Sequence, residues 1–351
     1  MEKMRCPDRP HPSIIHRNTT PSPKWQRKPS NLGRTLFLSS SRGKLGHRCG
    51  CWCLRAVAEQ LSIASPCKIN LFLRVMGRRS DGFHDLASLF HVIDLSDSMD
   101  FSPLASGETK DRLECDMCGV PTDESNLVIK ALNLFREKSG SHQFFNVKLH
   151  KVVPHGAGLG GGSANAATAL WAANELCGRP ASESDLLSWS ADIGSDISVF
   201  FSKGAAYCTG RGEIVRNVPP PLPLDTPLLL VKPAVGLPTG QIFKQLDLDK
   251  RSSADPEALL NRLSNDGMSQ DVCVNDLEPP AFKTLPELAD LKGRLQHEGG
   301  GKFSAVFMTG SGSTIVCAGS DEVPEFLQEE AYSDVFVSPA RLIMREEGTW
   351  Y

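Results

Sequence analysis

A glycine-rich segment, residues 154–162, constrains the fold of this chain more than any other stretch. It reads PHGAGLGGG and runs directly into the alanine-rich segment SANAATALWAANEL. Glycine lacks a Cβ atom, so its backbone can adopt positive φ angles and approach a ligand closely. The first N–H groups of a helix are unpaired, and the helix dipole places about +0.5 charge at that end. The segment therefore predicts a phosphate-binding loop followed by a helix over residues 164–176.

Two other kinds of nucleotide-binding loop share part of this pattern. A P-loop has a lysine directly after its glycines, whereas Ser163 stands there in this chain. The spacing of Gly156, Gly158 and Gly161 satisfies the G-x-G-x-x-G pattern of dinucleotide-binding folds. Those folds also need a second strand that ends in an acidic residue about 20 positions later. The region at that distance, around Glu175, continues the same helix, so both alternatives are disfavoured.

Beyond about residue 60 the chain has the pattern of mixed strands and helices. Proline cannot donate to a central strand ladder, so Ser65-Pro66 predicts an irregular middle in the first strand. Ser125 is expected to cap one helix, and Ser182 with Asp185 matches a capping box that opens another. The expected strands cover residues 61–76, 84–101, 145–149, 228–231, 305–308 and 314–317, and the expected helices cover residues 126–137, 164–176, 239–246, 256–263 and 285–296.

A proline-rich segment, residues 219–223, reads PPPLP and is the expected boundary between two α+β domains. Consecutive prolines are stiff and continue neither a helix nor a central strand. The predicted domains therefore cover residues 61–218, which include the glycine loop, and residues 224–345.

The first 57 residues differ strongly in charge from the rest. They contain twelve basic and two acidic residues, a net charge of +10, which leaves −13 for the remaining 294 residues of a chain whose total is −3. A head that is rich in Ser, Arg and Pro, and that lacks a long apolar run, is typical of an organelle transit peptide rather than a secretory signal. Residues 1–60 are therefore expected to be a disordered transit peptide for a chloroplast or a mitochondrion. The alternative is a basic tail or a nucleic-acid arm.

The eleven cysteines predict neither a disulfide framework nor a metal site. Cys115 and Cys118 form a C-x-x-C pair, but no second pair or histidine cluster follows at zinc spacing. Scattered, reduced thiols in an intracellular enzyme are expected instead. The longest uncharged stretch, residues 152–174, is rich in glycine and reads as a loop feeding a helix, so no membrane span is expected.

Three segments together resemble the motifs of the GHMP kinases, small-molecule kinases that transfer the γ-phosphoryl group of ATP. They are the glycine loop with the residues that follow it, residues 65–71 (SPCKINL) and residues 309–314 (TGSGST). The resemblance extends over roughly residues 62–340. It implies an α+β, two-domain GHMP kinase fold, with an N-terminal ribosomal-protein-S5-like nucleotide domain and a C-terminal ferredoxin-like domain.

The resemblance implies ATP and Mg²⁺ as cofactors and two catalytic residues. Asp196 is similar to the family's catalytic aspartate, which receives the proton of the acceptor hydroxyl. Lys68 is similar to the catalytic lysine, and a lysine in an apolar strand needs a partner. Beside Asp196 it would keep the carboxylate ionised and stabilise charge on the transferring group. The family usually has proline two positions after the aspartate; Ser198 stands there, which predicts a looser turn.

The resemblance also assigns residues to the nucleotide. Ser163 either places its hydroxyl on Mg²⁺ or caps the helix, and Asn126 either approaches the adenine or only begins a helix. Residues 309–314 are expected to pack beside the loop. The implied nucleotide-binding residues are Asn126, Pro154, Gly156, Ala157, Gly158, Leu159, Gly160, Gly161, Gly162, Ser163 and Ala164.

Residues 81–86 (DGFHDL) and 239–243 (TGQIF) resemble the family members whose substrate is a cytidine diphosphate-linked methylerythritol. The resemblance implies that Thr239 and Phe243 close over the cytidine, and base–aromatic stacking contributes about 1–3 kcal/mol. Asn70 and His84 are the implied hydrogen-bonding residues, His84 towards the cytosine. The position of Phe83 often holds a tyrosine, whose hydroxyl is missing here.

The implied reaction is the ATP-dependent phosphorylation of the 2-hydroxyl of this cytidylyl substrate, in non-mevalonate isoprenoid biosynthesis. One alternative is another GHMP kinase that acts on mevalonate, homoserine or a sugar; residues 81–86 and 239–243 disfavour it, because those substrates have no base to stack. A nucleotide-binding regulator without turnover is a second alternative, disfavoured by Lys68 and Asp196. The implied pathway makes the plastid stroma the expected destination, with no nucleic-acid partner.

Overall fold

Two long strands, β1 (Leu61–Arg78) and β2 (His84–Pro103), form an antiparallel pair in the first half of the chain. They are seen in a computed structural model that describes residues 60–351. The register of the pair shifts between Pro66 and Lys68, where proline lacks the N–H that a regular ladder requires. The predicted irregular middle of the first strand is therefore confirmed.

The first sheet is built on both edges of β2. Its other strands are β3 (Arg112–Cys115), β4 (Phe145–His150), β5 (Ala205–Gly210) and β6 (Ile214–Asn217). β1 pairs with one edge of β2, while β4 and β5 pair with successive parts of the other edge. β3 lies parallel to β4 at one end of the sheet, and β6 lies antiparallel to β5 at the other.

Three helices pack with the first sheet: α1 (Leu127–Ser139), α2 (Gly161–Leu176) and α3 (Glu183–Ser190). The alanines of α2 are buried, and their small side chains let the helix lie close to β1 and α1. Large apolar side chains such as Phe101 and Phe135 complete this core. The loop before α2 is consequently attached to a well-packed helix.

The second sheet contains β7 (Leu228–Lys232), β8 (Ala305–Met308), β9 (Ile315–Ala318) and β10 (Phe336–Ala340). All its pairings are antiparallel, in the order β10-β7-β9-β8. The remaining α-helices of the described residues lie in the same half: α4 (Thr239–Gln245), α5 (Pro256–Asp266), α6 (Glu278–Thr284) and α7 (Pro286–Glu298).

The last residues of the chain return to the first sheet. The backbone N–H of Ile343 donates to the carbonyl of Val92 at 3.0 Å, and the indole of Trp350 donates to the carbonyl of Ala64 at 3.1 Å. The ring of Trp350 also packs near Trp171 of α2. The C-terminal segment therefore adds to the core that supports α2.

Most of the expected elements are confirmed, and the differences lie at their ends. Asn126, not Ser125, caps α1: its side chain accepts the N–H of Val128 at 2.8 Å. Ser125 instead donates to the carboxylate of Asp123, so the prediction of Ser125 as the cap is wrong. The capping box at Ser182 is confirmed. α2 begins three residues earlier than predicted.

Several sequence-based expectations concern the absence of a feature or lie outside the described residues. The predicted transit peptide falls outside residues 60–351, apart from Gln60. Among the helices of the described residues, none has the length and apolar character to cross a lipid bilayer. Over the same residues, no three His, Cys, Asp or Glu side chains gather where they could hold a metal ion.

Candidate active site

A cavity of about 990 Å³ opens beside the glycine loop. Its lining residues come both from the half of the chain that forms the first sheet and from the half that forms the second. Ala164 is the exception among the predicted site residues, because it is fully buried within α2. Its backbone N–H donates to the carbonyl of Gly160 at 2.8 Å, and its assignment to the nucleotide site stays a prediction. The predicted residues that do line the cavity are Lys68, Asn70, Phe83, His84, Asn126, Pro154, Gly156, Ala157, Gly158, Leu159, Gly160, Gly161, Gly162, Ser163, Asp196, Thr239 and Phe243.

The glycine loop leaves the first turn of α2 without a side-chain cap. Gly156, Gly158 and Gly160 have φ angles of 63°, 75° and 67°, which favour glycine. Gly160 is the N-cap of α2, no side chain bonds to the free N–H groups, and the first turn contains no acidic residue. Ser163 does not cap the helix, so that reading is wrong. The unpaired N–H groups and the positive end of the helix suit a phosphate group.

Two of these glycines lie very close to their neighbours. A Cβ atom on Gly158 would lie 2.3 Å from the carbonyl oxygen of Thr309. A Cβ atom on Gly160 would lie 2.9 Å from Cε of Lys68. The turn over residues 309–314 thus packs directly against the loop, as the sequence predicts, and the N–H of Thr314 donates to the carbonyl of Ala157 at 3.2 Å.

The variant Gly158→Ala should lower nucleotide affinity at least tenfold, because the new methyl group displaces the loop from Thr309. Gly178→Ala is a matched control: Gly178 also has a positive φ, of 83°, but a Cβ there meets nothing within 4 Å. Both variants carry the backbone strain of about 1–2 kcal/mol, whereas only the first has the clash. ADP affinity measured by calorimetric titration separates them. Equal affinities in the two variants would contradict the assignment of this loop.

Lys68 connects the glycine loop to Asp196. It lies in β1 with a side chain only 3% exposed, and its ammonium is 3.5 Å from Oδ2 of Asp196. The same ammonium donates to Oδ1 of Asn70 at 2.8 Å and to the carbonyl of Gly158 at 3.0 Å. The predicted placement of Lys68 beside Asp196 is confirmed, and Asn70 helps to hold the ammonium in position.

Asp196 lies in a turn between α3 and a 3₁₀ helix, Ser198–Phe201. Its side chain is 39% exposed, so the carboxylate is accessible from the cavity. Ser198 is buried, and its hydroxyl lies 2.9 Å from that of Ser190 at the end of α3. The sequence predicts a looser turn at Ser198, whereas the structure gives this residue a hydrogen bond that ties the turn to α3.

Aromatic residues also line the cavity. The rings of His84 and Phe243 stack at 5.2 Å with an interplanar angle of 26°. Burial, and secondarily the positive charge of Arg78, lower the pKa of His84 below its ordinary value. Phe83 is 54% exposed, and the guanidinium of Arg211 lies 5.3 Å from its ring centre.

Two of the predicted site residues also make hydrogen bonds within the protein. Asn126 donates to the carbonyl of Pro121 in addition to capping α1, so its role at the helix start is confirmed. The hydroxyl of Thr239 lies 2.8 Å from that of Ser311, which joins α4 to the 309–314 turn. Both residues also line the cavity.

Charged residues of the cavity and its surroundings are missing from the sequence-based prediction. Lys151 and Arg211 line the cavity, and Asp97 forms an ion pair with Lys151 beneath the loop. Asp97 is one of several aspartates in β2, and only the fold reveals that its side chain is buried. For Lys151, its position three residues before the loop is the signal that the sequence offers.

Comparison with known proteins agrees with this geometry. The model of the GHMP kinases N terminal domain matches residues 126–204, and that of the GHMP kinases C terminal domain matches residues 249–337. The chloroplastic 4-diphosphocytidyl-2-C-methyl-D-erythritol kinase of Arabidopsis thaliana is 56% identical over 297 residues, which are 84% of this chain and 77% of that protein. The 4-diphosphocytidyl-2-C-methyl-D-erythritol kinase of Protochlamydia amoebophila is 41% identical over 83% of this chain and 93% of its own length.

Solved structures extend the comparison to the fold. A crystal structure of 4-(cytidine 5'-diphospho)-2C-methyl-D-erythritol kinase superposes with a TM-score of 0.62 at 28% identity, covering 80% of this chain and 99% of that one. Homoserine kinase from Cytophaga hutchinsonii gives a TM-score of 0.64 at 16% identity, covering 84% and 98%, and shares the fold. The chain is an ATP-dependent small-molecule kinase of the GHMP class. Within that class it belongs to the family of the 4-diphosphocytidyl-2-C-methyl-D-erythritol kinases.

Proposed function

We propose that this enzyme transfers the γ-phosphoryl group of ATP to the 2-hydroxyl of 4-diphosphocytidyl-2-C-methyl-D-erythritol. The observation that carries the proposal is the position of Lys68, whose ammonium bonds to the glycine loop and lies 3.5 Å from Asp196. In a phosphoryl transfer, the phosphate donor and the group that accepts the hydroxyl proton must both lie close to the acceptor hydroxyl. Lys68 spans the two.

At the nucleotide end, the glycine loop and the start of α2 bind the phosphates through backbone N–H groups. The uncapped first turn, free of acidic residues, fits an anion. A bound Mg²⁺ would supply charge neutralisation for the phosphates. Ser163, in the first turn of α2 and on the cavity wall, is the residue we propose to hold it.

At the reacting centre, Asp196 accepts the proton of the substrate hydroxyl. Its carboxylate is exposed to the cavity, while the ammonium of Lys68 is almost fully buried. The same ammonium stabilises negative charge on the group in transfer, because it is already oriented by Asn70 and Gly158.

At the acceptor end, the cytidine lies against Phe243 and His84, beside Thr239 and Phe83. Burial lowers the pKa of His84 and so favours its neutral form; a neutral imidazole offers one donor and one acceptor to the cytosine edge. The rings of His84 and Phe243 are in contact. The base therefore stacks on the outer face of Phe243, or separates the two rings when it binds.

The variant Phe243→Ala should raise KM for the cytidylyl substrate about 5- to 150-fold, the equivalent of the 1–3 kcal/mol of base stacking. KM for ATP should change by less than about twofold, since Phe243 belongs to α4 rather than to the glycine loop or the start of α2. Phe282→Ala is the control, because Phe282 packs in the same hydrophobic cluster but does not line the cavity. A rise in KM confined to ATP would contradict this placement.

The chain is a plastid protein. Its relatives from Arabidopsis thaliana and Oryza sativa are named chloroplastic, and its first 57 residues carry a net charge of +10. We propose that residues 1–60 are the transit peptide. Residues 61–218 are proposed as the ATP-binding domain and residues 224–345 as the C-terminal domain.

The proposal is tested by ADP release from the purified full chain, with ATP, Mg²⁺ and a panel of acceptors. The panel contains the cytidylyl substrate, mevalonate and homoserine. We expect turnover with the cytidylyl compound and none above background with the other two. Turnover of mevalonate or homoserine alone would contradict the proposed acceptor, and ATP binding without any turnover would favour a regulator.

A further inference from the structure

A buried carboxylate outside the cavity holds the glycine loop. Asp97 lies in β2 with a side chain that is 0% exposed. Its Oδ1 accepts the backbone N–H groups of Val152 and Val153, both at 2.8 Å. Its Oδ2 accepts the side-chain amide of Asn165 at 2.9 Å and the ammonium of Lys151. Both oxygens are therefore fully engaged.

These partners lie on both sides of the loop. Val152 and Val153 directly precede the loop, whereas Asn165 belongs to the second turn of α2, just after it. Asn165 also donates to the hydroxyl of Ser65 in β1 at 2.9 Å. A single carboxylate from the sheet thus fixes the entry and the exit of the segment that presents the free N–H groups.

The environment makes this carboxylate hard to replace. A buried donor that loses its acceptor keeps its desolvation cost, and a buried ammonium without a counter-charge costs more. An asparagine in place of Asp97 would turn an amide N–H₂ towards Lys151 or towards the two backbone N–H groups. The loop ends would then separate from the sheet.

We propose that Asp97 is a positioning residue for the nucleotide: it holds the glycine loop in the conformation that binds phosphate. The inference rests on the proposed role of the loop and deepens it. Preorganised N–H groups bind an anion without an ordering cost. A looser loop should therefore bind ATP and ADP more weakly. The acceptor site, which Asp97 does not contact, is unaffected.

Calorimetric titration of the full chain with Mg²⁺ and ADP tests this without using an acceptor. Asp97→Asn should lower the affinity for ADP at least tenfold and raise KM for ATP by a similar factor. KM for the cytidylyl substrate should stay within about twofold of the wild-type value. Asp111→Asn is the control. Asp111 is also buried, pairs with Arg136 and accepts the backbone N–H of Phe145, but it does not line the cavity. It should lower stability and leave ADP affinity unchanged.

Two further variants keep the inference open to refutation. If Asp97→Asn does not fold, Asn165→Leu removes one of the ties and should weaken ADP about threefold; unchanged affinity would overturn the inference. The double variant Asp97→Asn/Lys151→Met removes the unpaired ammonium as well. It should stay defective, and full recovery would show that Asp97 only neutralises Lys151. Wild-type protein that binds no ADP would refute the nucleotide loop itself, which is a separate failure.

Discussion

The variant Asp196→Asn should lower kcat by about 10²- to 10⁴-fold, the range typical of a lost general base. Asparagine has nearly the same shape, so the turn and its contacts remain, but it cannot accept the proton of the substrate hydroxyl. Both KM values should stay within about threefold of the wild type, because the carboxylate acts mainly in the transition state. Steady-state ADP release gives all three constants.

Asp192→Asn is the matched control for this variant. Asp192 lies four residues earlier, is 57% exposed and pairs with Lys138 rather than with Lys68. Its replacement should leave kcat within about twofold of the wild type, since surface pairs contribute little. A kcat for Asp196→Asn equal to that of the control would contradict the proposed base.

The variant Lys68→Met should lower kcat by about 10²- to 10³-fold, the loss seen when one preorganised charge-stabilising donor is removed. Methionine keeps the apolar stem in its buried position in β1, while the ammonium that joins Asp196, Asn70 and the loop disappears. Rapid-quench measurement of the first turnover should show that the chemical step itself is slowed.

The control for Lys68→Met is Lys292→Met. Lys292 is 13% exposed and pairs with Glu278, but it does not line the cavity; its loss should lower stability without changing kcat. Since Lys68 and Asp196 act as a unit, the double variant should be little worse than the more damaging single variant. Fully multiplicative effects would contradict their coupling.

Local sequence patterns were sufficient for much of the fold. Alternating apolar residues predict β2 and β4, and the capping box at Ser182 is confirmed with both of its hydrogen bonds. α6 is not predicted from the sequence, because Pro279 and Pro280 look like helix breakers. Prolines in the first turn of a helix are nevertheless tolerated. The cap of α1 is one residue from its predicted position because Ser125 and Asn126 are both good caps, and only the backbone conformation selects between them.

Part of the candidate site can likewise be predicted from the sequence, and part cannot. The glycine loop can be predicted because it is contiguous, and Lys68 with Asp196 follows from the family resemblance. The close approach of Thr309 to Gly158 joins residues far apart in the chain, and no local pattern contains it. Asp97 is hidden for a related reason: its burial comes from the packing of β2 beneath the loop.

The most direct test of the account is the structure of the product. The full chain is incubated with ATP, Mg²⁺ and the cytidylyl substrate, and the proton-coupled ³¹P NMR spectrum is recorded. The carbon that carries the 2-hydroxyl also carries a methyl group and no hydrogen. We therefore expect one new phosphomonoester signal without splitting by a proton on the ester carbon, formed together with ADP. A signal split by such a proton, or no new phosphomonoester at all, would contradict it.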